Sequence, residues 1–77
     1  MRPTLHRALV RINVYADLKP FSLHDTVKPG NMIVVLGSET SKWERFDYNG
    51  PARRVLVPDF GMGWMHDEDV ILRTEVL

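Results

Sequence analysis

Val57-Pro58-Asp59-Phe60-Gly61-Met62-Gly63-Trp64-Met65-His66-Asp67-Glu68-Asp69-Val70 is the stretch whose reading decides the fold. Pro58 ends an apolar strand, because its ring fixes φ and removes a backbone donor. Gly61-Met62-Gly63 supplies freedom where the chain turns sharply, Trp64-Met65 reads as a short strand, and His66 to Asp69 as a tight acidic turn before a last strand, Val70 to Arg73. Turn, aromatic strand, polar turn and closing strand are how a small β-barrel ends. Trp64 reads as its plug: with Phe46, Ile12, Val34 and Val55 it fills most of the interior, each contributing roughly 1.5–3 kcal/mol on burial.

Upstream, Asn49-Gly50 predicts a type I′ hairpin turn, since both central residues need positive φ. It joins a strand over Trp43 to Tyr48 to a return strand from Ala52 to Val57, which starts after Pro51 and carries Arg53, Val55 and Val57 on one face. Gly37 to Lys42 is polar and loop-like. Met32-Ile33-Val34-Val35-Leu36 is a continuous apolar run, the pattern of a central strand covered on both faces. Before it, Val27-Lys28-Pro29-Gly30-Asn31 fits a type II turn, with Pro29 setting φ and Gly30 taking positive φ.

Ala16 to Lys28 reads as a long excursion anchored by Phe21, Leu23 and Val27. Val10, Ile12 and Val14 alternate with Arg11, Asn13 and Tyr15, giving a strand from about Leu9 to Tyr15. A helical stripe of Leu5, Ala8, Leu9 and Ile12 competes, and residues 1–8 stay open as arm, helix or strand. The sum is five or six short strands in one small all-β barrel.

At 77 residues the chain is a single domain of a size that buries only roughly 60% of its unfolded surface. With 44% hydrophobic and 26% charged residues it has a globular balance. The absence of cysteine excludes disulfides, thiolate metal sites and a Cys nucleophile; oligomerisation is then one route to stability. No apolar run approaches the ~18 residues of a membrane span, and no apolar stretch follows the basic N-terminus as in a secretory signal, so the expectation is a soluble protein.

Ten basic and ten acidic residues cancel, which argues against the broad positive field of a dedicated nucleic-acid binder. The charges are nevertheless unevenly spread. Arg2, Arg7 and Arg11 crowd the beginning, whereas Asp59, Asp67, Glu68, Asp69 and Glu75 crowd the end. If those segments lie on opposite poles, they are the ingredients of head-to-tail association.

The turn-Pro-Gly-strand element Val27 to Leu36 and the element Gly63-Trp64-Met65-His66-Asp67-Glu68-Asp69-Val70 resemble those of Src-homology-3-like barrels, especially the minimal bacterial and phage versions, over roughly residues 9 to 74. The resemblance implies a five- or six-stranded Src-homology-3-like barrel, and a phage-encoded structural or accessory protein in the host cytoplasm or the virion. In signalling members of that family a groove lined by aromatics binds polyproline helices. Trp43 stands where the groove tryptophan would be, with Phe21 on the same side. The family's Ala-Leu-Tyr-Asp-Tyr and closing Pro-x-Asn-Tyr elements are absent, Ala8-Leu9-Val10-Arg11-Ile12 standing in place of the first.

Enzyme chemistry lacks its parts. Ser22 with His24, and His66 with Asp67, are adjacent without forming a triad, Gly61-Met62-Gly63 lacks the lysine or helix of a phosphate loop, and a barrel this small leaves little room for a pocket of several hundred Å³. Contiguous His66-Asp67-Glu68-Asp69 side chains diverge, so no metal or cofactor is expected. The sequence favours a non-enzymatic protein-interaction or assembly module, self-association included. Its protein-binding candidates are Trp43, Phe21, Arg2, Arg7, Arg11, Asp67, Glu68 and Asp69. The alternative is a single-stranded nucleic-acid binder that stacks bases on Trp43 beside Arg45, Arg53 and Arg54. Neither a membrane nor a small-molecule substrate is expected.

Overall fold

Alternation of buried and exposed residues organises most of the chain. The structure, a computed structural model, describes residues 2–18, 23–45, 48–59 and 61–77, with the backbone alone at 38–41, 43–45, 48 and 49. In chain order the elements are β1 (Thr4–Ala8), β2 (Ile12–Tyr15), β3 (Leu23–Val27), β4 (Met32–Arg45), β5 (Tyr48–Val57), β6 (Gly61–His66), α1 (Asp67–Arg73) and β7 (Thr74–Val76). The strands form one antiparallel sheet in the order β3-β2-β6-β5-β4-β1-β7. All-β architecture is as expected. Among the described residues the strands number seven, not five or six, and the sheet is open, with β3 and β7 at its edges.

One core draws on nearly every element: Ala8, Ile12 and Val14, Val27, Ile33 and Val35, Val55 and Val57, Met65, and Val70 of the helix. Strands far apart in the hydrogen-bonding order reach this core because the sheet curls. Gly30 N–H donates to the Ala8 carbonyl at 2.8 Å and Ala8 N–H to that of Asn31 at 2.9 Å, tying the β3–β4 turn to β1. That turn is the expected one, with Gly30 at φ 89° and Asn31 N–H bonded to the Lys28 carbonyl.

Several boundaries differ. Residues 4–8, left open in the sequence, form a strand paired on both sides, with His6 and Ala8 inward. The next strand begins at Ile12 and not Leu9, because the chain bends at 9 and 10 and leaves Val10 exposed. The excursion contains β3, paired with β2; Val27 anchors it, Leu23 is exposed, and Phe21 lies outside the described residues.

The hairpin is displaced. Arg45 pairs with Tyr48, Glu44 with Asn49 and Trp43 with Gly50, so Asn49-Gly50 is strand, and Pro51 pairs with Lys42; residues 46 and 47 lie outside the described residues. The local turn preference of Asn49-Gly50 yields to the pairing of the flanking strands, which runs from Thr40–Arg53 to Arg45–Tyr48. The predicted loop at 37–42 is absorbed into β4 as an irregularity. Between the pairs Val35–Val55 and Thr40–Arg53, β4 advances five residues while β5 advances two.

At the carboxyl end, Gly61 opens β6 at φ 93°, and Gly63 is strand, not turn. A Cβ on Gly63 would stand 2.5 Å from Val14 Cγ1, so close approach of β2 to β6 selects glycine. The expected acidic turn and last strand are instead α1 followed by β7. Asp67, Glu68 and Asp69 occupy the helix's first turn and Arg73 its last, which suits the helix dipole. Asp69 and Arg73 add a 2.8 Å ion pair one turn apart.

Candidate functional site

Residues between core positions face the other side of the sheet. There Leu5 lies opposite Val34, Val34 opposite Leu56, and Leu56 opposite Met62. A single row of four apolar side chains thus crosses β1, β4, β5 and β6. Leu5, Leu56 and Met62 are 45%, 37% and 42% exposed and Val34 is half-buried. Met32, two residues along from Val34, is 37% exposed, and exposed Leu77 donates its N–H to the Leu5 carbonyl. Scattered exposed apolar residues are ordinary; these four are contiguous across four strands.

Next to this row, Tyr15 and Ala52 form a small second cluster with Leu18 and Trp64 packed on it. The Arg54 guanidinium carbon sits 4.9 Å from the Trp64 ring centroid, a cation–π contact of about 0.5–1 kcal/mol. Tyr15 stacks on His66 at 5.4 Å. Trp64 is therefore not the plug of the core. Met65, its neighbour in the alternation, is the fully buried residue, and Phe46 lies outside the described residues.

The predicted site residues do not converge. Trp43 and Arg45 belong to the distal part of the β4–β5 ladder, opposite Gly50 and Tyr48. Adjacent Arg53 and Arg54 face opposite sides: Arg53 bonds Asp67 at 2.8 Å, and Arg54 covers Trp64. The charged ends do not occupy opposite poles either. β1 and β7 are neighbours, and Arg7 pairs with Glu75 at 3.1 Å. Asp67 and Asp69 are engaged by Arg53 and Arg73, while Glu68, Arg2 and Arg11 are exposed.

A polar chain of bonds runs through the β1–β7 junction. The Thr74 hydroxyl donates to the Val70 carbonyl at 2.6 Å, so it accepts from His6 Nδ1 at 2.9 Å. His6 Nε2 then accepts from the Thr4 hydroxyl at 2.8 Å. This satisfies a buried neutral imidazole. Burial, and secondarily the Arg53 charge, hold the His6 pKa below its ordinary 6.5.

An open groove of about 490 Å³ lies between β3 and the β5 end, lined by Asp25, Thr26, Lys28, Asn31 and Asp59. No group of three or more potential metal ligands occurs among the described residues. No helix among them is long and apolar enough to cross a membrane.

Compared with protein-family models, curated proteins and solved structures, the chain matches none. Fold and surface define it: a small antiparallel β-domain with an apolar outer face.

Sequence reasoning missed that face, yet its signal was present. The run Met32 to Leu36 suits a strand covered on both sides. The chain buries Ile33 and Val35 and leaves Met32 exposed and Val34 and Leu36 half-buried.

Proposed function

We propose that this chain is a non-enzymatic protein-interaction or assembly module whose contact surface is the outer face of β1, β4, β5 and β6. The observation that carries the reading is the in-register row Leu5, Val34, Leu56 and Met62, with Met32 beside it. Apolar area left in water forgoes about 25 cal/mol per Å², and covering it with another protein recovers that energy. Single-stranded nucleic-acid binding has weaker support. Arg53 is engaged by Asp67 and Arg54 by the Trp64 ring, on opposite sides of the sheet.

Service in a larger particle, as a phage-encoded structural or accessory protein, is one form of the same reading. We also infer that the sheet is a variant of the Src-homology-3-like barrel. What supports it is the Pro29-Gly30 turn feeding β4 and the curl of the sheet around one core.

A photo-cross-linking residue placed at Leu56, and separately at exposed Glu68 on α1, tests the contact surface in cells that make the protein. Protein adducts are expected from position 56 and not from 68. No adducts, or equal yields from both positions, would refute the reading.

A further inference from the structure

We propose that the groove along β3 takes an extended peptide segment of another protein, carrying one lysine or arginine, as an added strand; the site is separate from the outer face and does not rest on that reading. Among the described residues β3 has a strand neighbour on one side only, β2. Successive residues of a strand point to opposite faces, so a concavity lined by both Asp25 and Thr26 runs along the strand's edge and not over either face. None of its described lining residues belongs to β2, which places it at the edge away from that neighbour. The outer edge of a sheet presents backbone N–H and C=O groups to a further strand, and pairing of that kind holds extended peptides.

The opposite wall supplies places for side chains. It is formed by Asn31, just before β4, and Asp59, just after β5. The same two residues border a recess of about 210 Å³ beside Met32, Val57 and Pro58. The groove thus has a polar length and an apolar end, and an added strand offers its alternate side chains to such subsites.

Charge chooses the occupant. Asp25 and Asp59, both exposed, bring two carboxylates to the groove, and Lys28 brings one ammonium. Asp25 and Lys28 are three residues apart, roughly 10 Å along an extended chain, and one Asp25 oxygen accepts from the Thr26 N–H at 2.8 Å. A second copy of β3 would bring another Asp25 to this edge, like charge against like, whereas a strand with a lysine or arginine brings the opposite charge. Lys28 at the turn end disfavours a run of cations, so one basic residue among uncharged neighbours fits better than a polybasic segment.

Titration of the isotope-labelled full chain, followed by its amide chemical shifts, tests this with capped heptapeptides that carry lysine or glutamate at the centre and valine, threonine and serine elsewhere. The lysine peptide should shift the amides of residues 24–28, 31 and 59 saturably at millimolar concentration, and the glutamate peptide should not. Asp25→Asn and Asp59→Asn, at exposed positions, should keep the wild-type spectrum elsewhere and each raise the Kd about two- to fivefold; added salt should weaken binding in the same direction. N-methylation of alternate peptide amides, in one of its two phases, should abolish binding by removing the ladder donors. Absence of saturable shifts with the lysine peptide overturns the inference, as do equal binding of the glutamate peptide and shifts centred on the acidic first turn of α1. Full binding by both methylated forms, or the same shifts from lysine amide alone, overturns strand addition.

Discussion

Gly63→Ala should destabilise the domain through one atomic overlap. The added methyl carbon would stand 2.5 Å from Val14 Cγ1 and 3.1 Å from the Tyr15 carbonyl oxygen, against an optimal carbon–carbon separation of about 3.5–4.0 Å. Val14 is fully buried and β-branched, so it has little rotamer freedom with which to yield. The Tyr15 oxygen is main chain. Relief must come from parting β2 and β6, which share the pair Tyr15–Trp64. Overpacking of this kind costs about 1–3 kcal/mol, from a total of about 4–12 kcal/mol at 0.05–0.15 kcal/mol per residue. Melting should fall by about 4–8 °C per kcal/mol. Urea unfolding followed by far-ultraviolet circular dichroism measures it, and a double-mutant cycle with Val14→Ala locates it. Val14→Ala alone loses about 1.6 kcal/mol for two methyl groups, plus a cavity term. Because it also removes the clashing atom, the double variant should be more stable than the sum of the singles by at least about 0.5 kcal/mol. A neutral Gly63→Ala, or strict additivity, would refute the close approach of β2 to β6.

The remaining predictions concern charge, register and protonation. Asp67→Ala should cost about 1.5–3 kcal/mol, because it strands the half-buried Arg53 guanidinium; Glu68→Ala, at an exposed site, should stay within about 0.5 kcal/mol in the same unfolding assay. Asn49→Thr should change stability by under about 1 kcal/mol if position 49 is strand, whereas a larger loss would put the turn back at 49–50. His6 has a folded pKa held below 6.5, so the unfolded chain binds the proton more readily. Stability from this group is complete above pH 6.5 and declines as pH falls through 6.5 towards the folded value. Unfolding titrations should show that slope in the wild type and lose it in His6→Gln; an unchanged slope assigns it elsewhere.

Legibility in the sequence followed how much each signal was corroborated. The Pro29-Gly30 turn was readable because two residues with independent backbone constraints agree. The core face of β5 was readable because Val55 and Val57 repeat at the strand period. Asn49-Gly50 misled, since its local turn preference yields to strand pairing along the distal part of the β4–β5 ladder. The helix α1 was hidden by its length: over seven residues only Val70 points inward, so no helical period can register. The contact face was half legible. Five consecutive apolar residues from Met32 asked for cover on both sides, and the chain itself buries only Ile33 and Val35. Arg7–Glu75 and Arg53–Asp67 were invisible, because each joins residues whose proximity depends on strand order.

The bond chain Thr4–His6–Thr74–Val70 joins β1 to the contiguous pair α1 and β7 across a separation of 68 residues. Its direction is fixed, since each hydroxyl has one proton to give. Fraying of the carboxyl end is therefore not a residue-by-residue loss. Lifting β7 takes the acceptor from a buried imidazole and the donor from the helix carbonyl together, so β1, α1 and β7 should open as one cooperative unit in amide hydrogen exchange.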